Sequence, residues 1–202
     1  DFLEEVLPES IVTDFRKYFT GFYTAPEESF CTDRATLAQL YLGTEISARE
    51  RVDTMKLLGS HYHVDLYTGS DTSGLPVQNK GLVKTLTEMP IIFHYSKINL
   101  NITAKSIRSG LPLRIFDILG CGGFCLTNYQ PELSDYFTIG SDLECYTDEK
   151  NLLDKVSYYL SHEKERAQIA HNGFETVKKY HNYPERLLQM LSLAYGIKED
   201  TL

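Results

Sequence analysis

The chain has 202 residues, 42% hydrophobic and 12% aromatic, enough to bury one sizeable core and too apolar for a disordered segment. Twenty Lys and Arg against 28 Asp and Glu leave a net charge of -8, which disfavours a general surface for nucleic acid or anionic membrane. No apolar run approaches the roughly 18 residues that span a bilayer, so no transmembrane segment and no secretory leader are expected.

The first residues, 1–34, read as a helical segment or linker. Ile11, Phe15, Tyr18 and Phe19 recur at helical spacing before Gly21, and Pro26 suits the start of a second short helix. The chain opens at Asp1 without Met, so a preceding part is expected to be missing. From about residue 35 strands and helices alternate. Leu37–Leu42, closed by Gly43-Thr44, is expected as a buried strand. A helix over 48–58 follows, with Ser47 as its cap and Val52, Met55 and Leu58 facing inward. Strands are expected at 63–67 and 81–83, and a helix at 89–95. His61 and His63 would share one face beside the first of these strands.

The run 97–102 alternates polar and apolar residues and predicts a half-buried strand. A helix at 113–119 enters through Gly110-Leu111-Pro112, and Gly120-Cys121-Gly122-Gly123 stops it and turns into a strand at 124–127. Because that glycine cluster follows a helix and precedes a strand, it is not a dinucleotide fingerprint. A helical turn at 132–137, a strand at 143–146 and helices at 149–160, 163–179 and 184–194 complete the chain. In the last helix, Leu187, Leu188, Leu191 and Leu193 are expected to pack on the sheet or cross to another domain. The alternation predicts an α/β fold, a doubly wound and mostly parallel sheet with its ligand at the carboxyl ends of the strands. Cys31, Cys121, Cys125 and Cys145 form neither a disulfide framework nor a zinc pattern, which suits a reduced, cytoplasmic protein without a bound metal.

One charge anomaly points to a site. Residues 1–88 hold fourteen acids and 132–202 hold thirteen, leaving Asp117 alone in the 43 residues between. Even spreading would put about six there. The same window keeps Lys97, Lys105, Arg108 and Arg114, a balance that favours a phosphate-bearing ligand. The segment 106–112 leads straight into the helix at 113, whose first N–H groups lack intrahelical partners. Gly110 would allow close approach, Arg114 would meet phosphate, and Asp117, three residues on, would meet a pair of ribose hydroxyls. An ordinary Arg114–Asp117 surface pair accounts for the same spacing equally well.

The stretches Ser96–Ile102 and Gly110–Phe124, with Glu165-Arg166, Ile169–Gly173 and His181-Asn182-Tyr183, resemble the C-terminal, donor-binding half of GT-B glycosyltransferases. The likeness spans about 36–194 and is closest to the bacterial spore-maturation-protein branch. It implies a Rossmann-like donor-nucleotide domain over 35–202 and a nucleoside diphosphate sugar, UDP-linked by expectation. It also implies an acceptor bound by a missing N-terminal domain, and no metal or other cofactor. The implied donor-binding residues are Lys97, Asn101, Gly110, Arg114 and Asp117, with Gly43 and Thr44 as a second diphosphate contact. The position eight residues before Asp117, acidic in many retaining members, is Ser109 here, which leaves retention or inversion open. A nucleotide-binding or partner-docking module without catalysis is the alternative.

Overall fold

The computed structural model describes residues 42–105, 107 and 109–196. The helical segment expected over 1–34 and the strand expected over 37–42, apart from Leu42, lie outside them. Twelve elements run in the order α1 (Thr44–His61), β1 (Asp65–Leu66), β2 (Gln78–Asn79), α2 (Met89–Tyr95), β3 (Asn99–Asn101), α3 (Leu113–Gly120), β4 (Cys125–Asn128), α4 (Leu133–Tyr136), β5 (Glu144–Tyr146), α5 (Glu149–Ser161), α6 (Glu163–Tyr180) and α7 (Tyr183–Tyr195).

The fold is α/β with parallel strands, as expected. β1 pairs with β2, and β3, β4 and β5 form a three-stranded parallel sheet in that order. Period-two alternation splits the larger sheet into two covered faces. Leu126 and Tyr146 join Leu58, Phe124, Leu152, Val156, Tyr159, Ile169 and Ala170 on one side. Cys125 and Cys145 join Ile115, Ile118, Leu119, Leu133, Phe137 and Leu143 on the other. Helices on both faces explain why the strands carry so few exposed residues. Glu144 in β5 is charged and buried, but it is paired with Lys155 and accepts the Tyr159 hydroxyl at 3.3 Å.

Local chemistry sets the helix ends. Asp148 caps α5 by accepting the Asn151 N–H at 2.8 Å, and Asn182 caps α7 by accepting the Glu185 N–H at 3.0 Å. After α3, Gly122 takes a positive φ of 72°, and the N–H groups of Gly122 and Gly123 return to the carbonyls of Leu119 and Ile118. The Gly-Cys-Gly-Gly cluster is therefore the helix stop and turn that the sequence predicts.

Five details differ from expectation. Gly43 has helical backbone, φ -62° and ψ -38°, so Gly43-Thr44 begins α1 instead of closing a strand. Ser47 is not a cap: it lies inside the helix and its hydroxyl donates to the Gly43 carbonyl at 2.6 Å. Val52 is exposed, and Ser47, Thr54 and Leu58 form the buried stripe. The strand expected at 81–83 is instead β2, because Gln78 and Lys80 N–H groups donate to Val64 and Leu66 across the ladder. His61 ends α1, whereas His63 faces Asp65 at 3.0 Å.

The leucines of α7 do not pack on the sheet; Leu187, Leu188, Leu191 and Leu193 are 44–85% exposed. The α6–α7 junction is anchored instead by His181, whose ring lies 5.3–5.7 Å from those of Phe116, Phe137 and Tyr136. Arg186 donates to its Nδ1 at 2.6 Å, which requires that nitrogen unprotonated, and Nε2 lies 3.3 Å from the Tyr136 carbonyl. Burial and the Arg186 charge lower the pKa of His181, against the bond to Tyr136, which raises it. The folded protein thus holds this imidazole neutral where the unfolded chain protonates it. Its contribution is complete above about pH 6.5 and is lost as pH falls through the depressed folded value. Urea unfolding at pH 7.5 and 5.0 should show a drop that is smaller in His181→Gln; equal drops in both proteins would place the titration elsewhere.

Candidate functional site at the carboxyl edge of the sheet

Parallel strands bring their carboxyl ends to one edge, and here polar residues crowd that edge. Asn101 ends β3 buried, and its Nδ2 donates to Thr127 Oγ1 at 2.9 Å and to Thr103 Oγ1 at 3.2 Å. Asn128 ends β4 and its Oδ1 accepts the Thr103 N–H at 2.7 Å. Asn99, one turn of the pleat earlier, spans from β3 to the Phe93 and Phe124 carbonyls at 2.9 and 3.2 Å. The alternating run at 97–102 therefore reverses the expected burial: its asparagines are buried and Ile98, Leu100 and Ile102 are half-buried. Hydrogen bonds within the sheet offset the cost of burying these amides.

The start of α1 closes one side of the edge. Ser47 Oγ accepts the Lys105 N–H at 2.9 Å, and Lys105 Nζ lies 3.2 Å from Glu50 Oε1. The other carboxylate oxygen of Glu50 is buried and has no hydrogen-bond partner among the described residues. Its charge reaches Tyr146, whose phenol is pushed up first by burial and then by Glu50. A buried carboxylate oxygen left without a donor is costly, and a ligand hydroxyl would satisfy it.

The opposite side is the segment leading into α3. Gly110 has φ 86°, a conformation suited to glycine, and a Cβ there would meet no atom within 4 Å. Its N–H already donates to the Glu132 carboxylate. Arg114 lies in the first turn of α3, its guanidinium 5.4 Å from the Phe93 ring centre and bonded to the Met89 sulfur. Arg114 and Asp117 meet at 3.4 Å with side chains 43% and 53% exposed, so solvent screens the pair and both remain available to a ligand.

Of the residues expected in the site, Asn101 ends β3, Gly110 and Arg114 stand in the segment and first turn leading into α3, Asp117 lies one turn farther along α3, and Gly43 and Thr44 stand at the start of α1, whose Ser47 meets Lys105. Lys97 is separated from them. It stands two residues before β3, at the amino edge, whereas Asn101 ends the strand at the carboxyl edge. The sequence reading missed Ser47, Glu50, Thr103, Thr127, Asn128 and Glu132. Polar residues at the carboxyl ends of two apolar strands were the available signal for Thr103, Thr127 and Asn128.

Among the described residues, the environment of each thiol disfavours the thiolate. Cys121, Cys125 and Cys145 are free, and burial raises all three pKa values, that of Cys125 to about 12. Among the described residues no three His, Cys, Asp or Glu side chains cluster as metal ligands, and no helix is long and apolar enough to cross a membrane.

A family model described as glycosyl transferase-like matches residues 37–192. No curated protein matches the chain.

Proposed function

The chain belongs to the glycosyl transferase-like family, and we propose on that premise that it binds a nucleoside diphosphate sugar at the carboxyl edge of β3 and β4. The observation that carries this reading is the buried, hydrogen-bonded polar group Asn101–Thr103–Thr127–Asn128 at this edge, with Lys105 two residues after Thr103 and Arg114 in the first turn of α3. Arg114 and Lys105 stabilise the diphosphate, most strongly as charge grows on it during departure from the sugar. Asp117 accepts hydrogen bonds from the ribose hydroxyls through its half-exposed carboxylate, whose contact with Arg114 is solvated. Glu50 offers its unpartnered oxygen to a further hydroxyl. The donor is UDP-linked, the acceptor is bound by a separate N-terminal domain, and the protein works in the cytoplasm. Within the family, the segments 96–102, 110–124 and 165–173 support the spore-maturation-protein branch.

A thermal-shift screen of nucleoside diphosphates and their sugars tests the reading. A ligand at 100 times its Kd stabilises the folded chain by about 2.7 kcal/mol, so a UDP-linked donor should raise Tm while nucleosides without phosphate do not. No shift with any nucleotide would overturn it. The second reading is a nucleotide-binding or partner-docking module without catalysis, and Ser109 leaves retention or inversion open. Sugar transfer by the protein joined to its acceptor domain, abolished in a donor-site variant, would exclude that reading.

A further inference from the structure

A cavity of about 650 Å³ opens at the amino edge of the sheet, on the side of β3 and β4 away from the proposed donor site. It lies between the end of α2, the turn after α3 and one face of α6. His94, Lys97, Arg166 and His171 line it, with Phe124 and Phe174 as its apolar part. We propose that this cavity binds a small phosphate-bearing organic molecule.

Arg166 carries the argument. It is nine-tenths buried, and a buried guanidinium normally faces a carboxylate. Here Nη1 donates to the Tyr159 carbonyl in the last turn of α5, and no carboxylate lies within 4 Å of the guanidinium among the described residues. That single bond leaves a forked set of donors beside an open cavity, a geometry suited to phosphate oxygens. Lys97 adds an exposed ammonium without an ion-pair partner among the described residues. His94 is held by its Nδ1, 2.9 Å from the Cys121 carbonyl, which leaves Nε2 for a ligand. Glu163 is the one carboxylate among the lining residues, so the balance is two fixed cations and two imidazoles against one anion.

Size and lining narrow the ligand class. The volume falls in the range of small-molecule sites and exceeds what inorganic phosphate needs. The Phe124 and Phe174 side therefore suits an organic group attached to the phosphate. The cavity also accounts for Lys97, a cation of the acid-poor window that the carboxyl-edge site does not use.

Phenyl phosphate is the probe, titrated into the 15N-labelled 202-residue chain with saturating UDP present to occupy the donor site. Saturable amide shifts are expected at residues 94–97, 120–122 and 166–171, weakened at least tenfold by Lys97→Ala. Lys97 is exposed, so that variant should stay folded; Arg166→Lys, which keeps the charge and loses the fork, should weaken binding by a similar factor. Phenol should cause no comparable shift. Shifts confined to residues 43–47 and 101–114, equal shifts with phenol, or affinity unchanged in folded Lys97→Ala and Arg166→Lys would overturn the assignment. Because UDP is held constant, failure here leaves the donor-site reading intact.

Discussion

Leu126→Ala should cost about 2–5 kcal/mol, whereas Thr127→Val, the adjacent residue on the same strand, should leave the chain folded and damage the edge instead. Leu126 is fully buried at the centre of β4, the middle strand, against Phe124, Tyr146 and Tyr159. Truncation leaves a cavity between a sheet and two helices that cannot close around it without moving the ladder. Against a total stability of about 5–15 kcal/mol for a domain, that loss can populate the unfolded state at ordinary temperature. Thr127 points to the other face and is also fully buried, but its hydroxyl accepts from Asn101 Nδ2 at 2.9 Å. Valine keeps the shape and removes the acceptor, leaving a buried amide donor with only Thr103 at 3.2 Å. The expected cost is about 1–3 kcal/mol, the range for an unsatisfied buried polar group. Urea denaturation of both variants should rank Leu126→Ala well below Thr127→Val. The reverse order would mean that the polar ladder, not the apolar face, holds the sheet together.

Much of this architecture was legible because apolar periodicity and punctuation agreed. Met89–Tyr95 and Leu113–Gly120 form helices where their spacing predicts, and the glycines after residue 119 stop the second one. Glu149–Ser161, Glu163–Tyr180 and Tyr183–Tyr195 fall within two residues of their expected limits; Asp148 caps the first, and Asn182 and Pro184 mark the start of the third. Strand limits were harder. β1 and β2 have two residues each, too short for a period of two to register, and the second ladder lies three residues before the run 81–83 that composition favoured.

The site was less legible than the fold for a physical reason. Alternation identifies which residues share a face but not which face is more buried. Asn99 and Asn101 read as the solvent side of β3, yet α3 covers that side and the amides bond within the sheet. The acid-poor window takes in β3, α3 and the segment between them. It could not separate Lys97 from Arg114, since Lys97 precedes β3 and Arg114 follows it in α3, at opposite edges of the sheet. Glu50 and Glu132 lie outside the window altogether. Tertiary packing brings Glu50 to Lys105 and Glu132 to Gly110, and no local pattern encodes either meeting.

Arg114→Ala should weaken nucleoside diphosphate binding by roughly 1.5–3 kcal/mol, the range for a hydrogen bond to a charged group. The folded protein should tolerate the change. Arg114 is 43% exposed on its side chain, its contact with Asp117 is solvated, and its remaining contacts are the rim residues Met89 and Phe93. Exposed pairs of this kind contribute about 0–1 kcal/mol, so circular dichroism and Tm should barely move. Asp117→Asn keeps the shape and removes the charge. It should weaken binding of UDP more than of its dideoxy analogue, because only the former presents the hydroxyls that the carboxylate accepts. The two substitutions should also be nearly additive in calorimetry if each side chain meets its own part of the ligand. A large coupling would mean that the Arg114–Asp117 contact, rather than the nucleotide, is what each variant breaks. Unchanged affinity in a folded Arg114→Ala protein would remove Arg114 from the donor site and leave Lys105 as the cation beside the buried polar group.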